Sequence, residues 1–224
     1  MMLCFDIGAN RGDATYAALE KGYKVIAIEA APKVYGQLVK NFIYNSNVRP
    51  IRFAVSNTNN ETVEFYEAAE DGLSSLNKDW LTDETMPYAG KPYRTVQATT
   101  ITVDRLAQIY GAPDLIKVDV EGAEWNVFKG MTKKYGTLAF EWTDVTIPEH
   151  TEQLKYLSEL GYTDFSIQFI EHHLQEPEVD SWLPIDLAHL LQGQIEARTE
   201  GWVSGGWKKS GLRPTADVGM LWVR

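Results

Sequence analysis

Short apolar runs alternate with amphipathic segments along most of this 224-residue chain. The runs have the length of buried strands, and the segments between them carry apolar residues at helical spacing. Strands that alternate with helices predict an α/β fold with a doubly wound, mostly parallel, seven-stranded sheet. The predicted strands lie at residues 1–5, 24–28, 49–55, 114–120, 137–141, 165–170 and 218–223.

The alternation changes between residues 57 and 100. Residues 62–66 and 93–97 alternate apolar and polar side chains as edge strands do, and a polar stretch rich in Gly, Ser and Pro separates them. No separate core is evident, so we predict a β-hairpin excursion, or lid, after the third strand. Residues 171–217 form a second irregular segment, which is too long for an ordinary connection.

Composition narrows the class of protein. A length of 224 residues and a hydrophobic content of 44% predict one globular domain over residues 1–224. Because its first strand begins almost at residue 1, it could be one domain of a longer protein. Cys4 is the only cysteine, which favours a reducing compartment, and we expect the cytoplasm. The net charge of −10 and the absence of a long apolar run argue against nucleic-acid and membrane partners.

A glycine turn follows the first strand, in the sequence Asp6-Ile-Gly8-Ala-Asn10-Arg-Gly12. Glycine lets the backbone turn sharply and approach a ligand closely, and the helix that follows would direct its first amides at that ligand. The spacing is neither G-x-G-x-x-G nor a P-loop. Asp6 would repel a pyrophosphate but attract the ammonium of S-adenosylmethionine (SAM). A turn that only packs a helix on the sheet is the alternative.

Polar residues end the next predicted strands as well. Glu29 comes about twenty residues after the turn, where an acid in such sheets bonds a ribose diol. Ser56, Asp119 and Glu141 end three further strands. Ligands of open α/β sheets bind beyond the carboxyl ends of the strands, so we expect one site there. Asp119 could instead cap the helix that follows, which we expect to run to about Lys134, and Glu141 could be structural.

The segment from Asp114 to Gly130, DLIKVDVEGAEWNVFKG, resembles the FkbM-type SAM-dependent methyltransferases. The glycine turn, Glu29 and residues 99–104 add to the resemblance, which extends from residue 3 to about 142, and residues 74–76 are similar to the family's lid motif. The resemblance implies a Rossmann-like class I methyltransferase sheet, SAM as methyl donor, and an alcohol of a sugar or polyketide as acceptor. The chain departs from the family at residues 30–32, where Ala-Ala-Pro replaces an early Glu-Pro, which affects the adenosine contacts beyond Glu29.

We therefore predict an O-methyltransferase that acts on a hydroxyl of a sugar or glycan. The residues predicted to bind SAM are Asp6, Gly8, Ala9, Asn10, Gly12, Glu29, Ala30, Val55, Ser56 and Asp119. The candidates for the base that removes the hydroxyl proton are Asp119, Glu141 and His150. Because flat rings stack on sugars, the tryptophans of irregular segments are predicted acceptor contacts, namely Trp142, Trp182 and Trp202. Ser75 of the predicted lid is a further predicted acceptor contact.

Other functions remain open at the level of the sequence. The chain could methylate another small-molecule alcohol, such as a polyketide, or it could be a nicotinamide-dependent oxidoreductase on the same sheet. It could also be an interaction module that has kept the fold without catalysis. Asp119, Glu121 and Glu141 could hold a divalent cation, although no metal is predicted. The oligomeric state stays undetermined.

Overall fold

The computed structural model describes residues 2–86, 88–143, 147–168, 174–186 and 218–224. Its strands are β1 (Leu3–Ile7), β2 (Lys24–Ile28), β3 (Val48–Ile51), β4 (Ala54–Val55), β5 (Thr62–Ala68), β6 (Tyr93–Ile101), β7 (Leu115–Val118), β8 (Thr137–Thr143), β9 (Asp164–Gln168), β10 (Leu183–Pro184) and β11 (Val218–Val223). Its helices are α1 (Asp13–Glu20), α2 (Pro32–Phe42), α3 (Asp79–Thr82), α4 (Val103–Tyr110), α5 (Glu124–Lys129) and α6 (Ile147–Glu159), with a short 3-10 helix at Val179–Ser181.

The strands of the main sheet lie in the order β10-β9-β11-β8-β7-β1-β2-β3. Five neighbouring strands of this sheet, β3, β2, β1, β7 and β8, are parallel, and β11 runs antiparallel between β8 and β9. The predicted fold class, an α/β protein with a mostly parallel sheet, is confirmed. The described sheet has eight strands instead of seven because Leu183 and Pro184 add a short edge strand beside β9.

The predicted third strand, residues 49–55, is divided between two sheets. Val48–Ile51 pairs with β2 in the main sheet, whereas Ala54 and Val55 pair with Thr100 and Ile101 of β6. The chain leaves the main sheet after Ile51 because β6 offers Ala54 and Val55 a second set of backbone partners. A strand pattern in the sequence does not show which partner each half will have.

The predicted hairpin excursion is confirmed. Strands β5 and β6 pair antiparallel from Thr62 opposite Thr99 to Ala68 opposite Tyr93, and with β4 they form a three-stranded sheet. The segment between them contains the short helix α3, which sequence analysis missed. Its Trp80 and Leu81 are buried against Leu73 and form a small apolar cluster of their own.

Two further differences from the predicted elements concern Trp142 and the end of α5. Trp142, expected in an irregular segment, lies in β8 and belongs to the buried core, because β8 continues to Thr143 alongside β11. Helix α5 ends at Lys129 and not near Lys134. The amides of Gly130 and Met131 there bond to carbonyls three residues earlier, and Met131 is buried.

Within the described residues, no helix is both long and apolar enough to cross a bilayer.

Candidate active site

The carboxyl ends of β1, β2 and β7 border a cleft with about 660 Å³ of empty space, counting its open side. The side chains that form its apolar walls are Val34, Phe53, Val55, Phe65 and Leu76. Of the residues predicted to bind SAM, those that line the cleft are Gly8, Asn10, Glu29, Ala30, Val55 and Asp119. A flat base fits such apolar walls, and polar groups at the strand ends fit the rest of a nucleoside cofactor.

Gly8 forms the sharp turn at the end of β1. Its φ is 76°, and the amides of Gly8 and Ala9 both donate to the carbonyl of Ile28, at 3.0 and 2.9 Å. A Cβ atom on Gly8 would lie 1.7 Å from the backbone oxygen of Asp119. The glycine is therefore required by the protein's own backbone, which passes from β7 directly beside the turn.

Asn10 gives the cleft an unsatisfied polar group. It has a left-handed φ of 48°, and its amide donates to Oε2 of Glu29 at 3.0 Å. Its side-chain Oδ1 atom is buried and finds no hydrogen-bond partner among the described residues. A buried acceptor without a donor costs about 1–3 kcal/mol, so a ligand that brings a donor would gain this energy on binding. The ammonium and hydroxyl groups of SAM are such donors.

Glu29 connects the glycine turn to the start of α2. Its Oε1 atom accepts from the amide of Ala31 at 2.7 Å, while Oε2 accepts from Asn10. Burial raises the pKa of Glu29 to about 7, although hydrogen bonds from Ala31, Asn10 and Ala30 oppose the shift. Each carboxylate oxygen has more than one lone pair, so Glu29 can still accept bonds from the hydroxyls of a ribose.

Beneath the cleft lies an ion cluster that we call the floor, made of the buried Asp6 and Lys117 and the partly exposed Asp119. The Lys117 ammonium donates to Oδ2 of Asp119 at 3.0 Å and to the carbonyl of Gly8 at 3.2 Å, and it lies 3.8 Å from Oδ1 of Asp6. Sequence reasoning missed Lys117. The signal was a charged residue inside the apolar strand Leu-Ile-Lys-Val, where an unpaired cation would be costly.

Four residues predicted to bind SAM lie outside the cleft lining. Asp6 is fully buried, and its Oδ2 atom accepts from the Thr15 hydroxyl at 2.5 Å, so it lies under the turn and not in the cleft. Gly12 faces the ring of Phe42, which a Cβ atom would approach to 2.2 Å. Ala9 is buried, and the Ser56 hydroxyl donates to the side chain of Asn57. These four residues therefore support the cleft from positions outside its lining.

The segment Asp71–Asn77 covers the cleft, and we call it the roof. At its first end, Asp71 pairs with Arg11 of the glycine turn and, at 3.1 Å, with Lys33 of α2. These cations lower the pKa of Asp71. Ser74 and Leu76 line the cleft. Ser75, a predicted acceptor contact, is fully buried, and its hydroxyl donates to the carbonyl of Val120 at 3.4 Å.

Three partly exposed carboxylates meet at the end of β7. Asp119, Glu121 and Glu141 each bring an oxygen within 4.8 Å of the others. Glu121 has a left-handed φ of 57°, and its Oε2 atom accepts from the indole nitrogen of Trp80 at 3.0 Å. Burial raises the pKa of Glu121, and the neighbouring carboxylates of Asp119 and Glu124 add to the shift. Such a cluster can accept protons or hydroxyl donors, and its oxygens are also of the type that hard cations prefer.

Of the other predicted catalytic and acceptor residues, those that the structure describes do not line the cleft. His150 is 2% exposed, and its ring nitrogens are engaged by the amide of Thr143 and the side chain of Gln153, so its surface is closed to an acceptor. Burial lowers its pKa. Trp142 is also buried, and its indole donates to the carbonyl of Gln168 at 2.8 Å. Trp182 is partly buried under Arg224, and Trp202 lies outside the described residues.

The sheet order and the cleft at its switch point define an α/β protein of the Rossmann-like methyltransferase class. Comparison with protein families then gives the family itself. The model of the methyltransferase FkbM domain matches residues 6–163. The chain therefore belongs to the FkbM methyltransferase family, and it is a SAM-dependent methyltransferase.

Solved structures of methyltransferases are similar to this chain at low identity. A precorrin-6y C5,15-methyltransferase from Geobacter metallireducens is 11% identical, with a TM-score of 0.46, over 100% of this chain and 78% of that one. Fibrillarin from Aeropyrum pernix, with bound SAM, is 10% identical, with a TM-score of 0.45, over 100% and 66%. A SAM-dependent O-methyltransferase from Thermotoga maritima is 14% identical, with a TM-score of 0.42, over 99% and 58%. No curated protein matches the chain. At these values the likenesses carry no information on the acceptor.

Proposed function

We propose that this methyltransferase transfers a methyl group to a hydroxyl of a sugar or glycan. The observation that carries the proposal is the meeting of Asp119, Glu121 and Glu141 within 4.8 Å at the edge of the cleft. Bound SAM supplies an electrophilic methyl carbon on a positively charged sulfur. The residues of the chain must then orient the acceptor oxygen and take its proton, and a carboxylate within hydrogen-bond reach can do both.

Asp119 and Glu141 are the residues to which we assign proton removal. Asp119 lines the cleft, and Lys117 already holds its Oδ2 atom. Glu141 lies in β8 opposite Met220 and is partly exposed. His150 is a weaker candidate than it was in the sequence, because its buried ring is engaged on both nitrogens.

A carbohydrate suits this surface better than an anionic or strongly apolar acceptor. Adjacent carboxylates accept hydrogen bonds from neighbouring hydroxyls, and they repel phosphates. Tyr88 lies beside Trp80, with ring centroids 5.4 Å apart, and its hydroxyl pKa is raised by burial and by the nearby Glu121 and Glu141. Tyr88 is a partly exposed ring next to the acids, which is a common arrangement for sugar binding. This support replaces the argument from Trp142, whose ring is buried.

The test is an acceptor panel assayed with SAM and read by mass spectrometry. The panel contains free sugars, the same sugars with every hydroxyl methylated, amino compounds, and a polyketide-like alcohol. We expect methyl transfer to free sugar hydroxyls alone, and turnover reduced by about a hundredfold or more in Asp119→Asn or Glu141→Gln. Glu152→Gln changes an exposed acid on α6 and is the matched control. Transfer only to amines would contradict the proposal.

Methylation of the polyketide-like alcohol alone would favour the other acceptor class. The nicotinamide oxidoreductase is no longer favoured, because the family match covers the glycine turn and the acidic strand ends Glu29, Asp119 and Glu141. The carboxylate cluster also permits a divalent cation that lowers the pKa of the hydroxyl. Dialysis against a chelator, followed by addition of Mg²⁺, distinguishes proton removal by a carboxylate alone from proton removal aided by a cation. If a carboxylate acts alone, the treatment leaves turnover unchanged.

A further inference from the structure

We propose that Lys117 is a positioning residue of the SAM site. It touches no open part of the cleft, and it acts by fixing two groups that do, the Gly8 turn and the Asp119 carboxylate. The inference rests on the use of SAM as cofactor and is independent of the acceptor.

The first step of the argument is the location of the side chain. Lys117 is 6% exposed in a strand whose other residues, Leu115, Ile116 and Val118, are buried and apolar. A buried ammonium loses hydration that only close acceptors can replace. An apolar residue would avoid this loss, so packing alone does not account for a lysine here.

The second step is what the ammonium contacts. It donates to the Gly8 carbonyl at 3.2 Å and to Oδ2 of Asp119 at 3.0 Å, and both residues line the cleft. Gly8 follows β1 and Asp119 follows β7, so the two bonds connect the ends of neighbouring strands. Because the Asp119 side chain is still 22% exposed, it can face a ligand while one of its oxygens is held.

The third step is the balance of charge. Asp6 lies opposite Lys117 in the register of β1 and β7, and its Oδ1 atom is 3.8 Å from the ammonium. Two carboxylates and one ammonium leave the floor with one net negative charge beneath a cleft that takes a positively charged cofactor. Without Lys117, Asp119 would lose its anchor and would be repelled by Asp6.

The main experiment is Lys117→Met, which keeps an unbranched side chain of nearly the same length and removes its charge. Binding of SAM and of S-adenosylhomocysteine is measured by calorimetry, without any acceptor, beside thermal unfolding. We expect both ligands to bind at least tenfold more weakly. In turnover assays the KM for SAM should rise accordingly. Lys155→Met, at an exposed site on α6, is the control.

A second variant separates positioning from charge compensation. Lys117→Met combined with Asp6→Asn removes both buried charges and should recover thermal stability. If Lys117 positions the site, this double variant still binds both ligands at least tenfold more weakly than the wild type. Wild-type affinity in the folded double variant would overturn the proposal, because Lys117 would then serve only to neutralise Asp6. Failure of both variants to fold would also overturn it, since the lysine would then be required for the fold itself.

Discussion

Two ion clusters hold the glycine turn, one in the floor of the cleft and one in its roof, and they differ in exposure. In the floor, the side chains of Lys117 and Asp6 are 7% and 0% exposed, whereas the cations that hold Asp71 in the roof, Arg11 and Lys33, are 55% and 53% exposed. Water weakens the exposed pairs, and side-chain entropy opposes them. Buried charges must keep their partners, because an unpaired one is costly. We therefore expect the floor to determine whether the site forms, and the roof to affect the release of a bound ligand.

The largest expected effect comes from the turn directly above the floor. Gly8→Ala should lower the free energy of unfolding by about 4 kcal/mol or more, since the new Cβ atom would lie 1.7 Å from the Asp119 oxygen. The measurement is urea unfolding. Gly22→Ala is the matched control, because Gly22 also has a positive φ of 84°, but a Cβ atom there would meet nothing within 4 Å. A cost below about 2 kcal/mol, the range of the control, would mean that the turn yields to accommodate the methyl group.

The next effect tests the burial of the floor. Thr15→Val removes the hydroxyl that donates to Asp6 at 2.5 Å and keeps the shape of the side chain. We expect a loss of about 1.5–3 kcal/mol of stability, the usual range for a hydrogen bond to a charged group. Thr82→Val, which removes a hydroxyl bonded to the carbonyl of Lys78 in an exposed turn, should cost much less. Equal losses in the two variants would remove the distinction between floor and surface.

The pH dependence of stability should have opposite signs for acids beside the floor and in the roof. The pKa of Glu29 is raised from 4.5 to about 7, so the unfolded state releases its proton first, and stability falls as pH rises from about 4.5 to 7. The pKa of Asp71 is lowered, so its contribution is present at neutral pH and is lost as the solution becomes acidic.

Chemical unfolding across this range checks the sign of each contribution. Glu29→Gln should flatten the decline between pH 4.5 and 7, and Asp71→Asn should flatten the loss at acidic pH. An unchanged decline in Glu29→Gln would assign the titration to another buried acid. Glu124 is the first alternative, because burial raises its pKa to about 7 as well.

The smallest effect belongs to the roof. Asp71→Asn breaks two exposed ion pairs and should change stability by less than about 1 kcal/mol. It should nevertheless speed the release of S-adenosylhomocysteine severalfold and reduce the effect of salt on that rate, measured by stopped flow. Glu70→Gln is the control, because Glu70 pairs with Lys91 on the same hairpin. If both variants release the ligand at the wild-type rate, the roof does not control exit.

Local patterns predicted much of the site, and contacts distant in sequence account for what they missed. The glycine turn and Glu29 follow from short motifs, and both line the cleft. The partnership of Asp6 with Lys117 depends on the register of two strands that are more than a hundred residues apart in the chain. Trp142 looked irregular because its strand is completed by β11, near residue 220. His150 is an exception, because its partners Thr143 and Gln153 are near it in sequence, and only the folded chain shows that they bond to its ring.

The position of β11 has a consequence for how the protein folds during its synthesis. This strand pairs on one side with β8 and on the other with β9, although both precede it in the chain. While the ribosome is still synthesising the segment before Val218, the facing edges of β8 and β9 have no strand between them. Unpaired edges attract other chains, so the nascent protein passes through a period of exposure to aggregation. That period ends only when residues 218–223 emerge and join the two halves of the sheet.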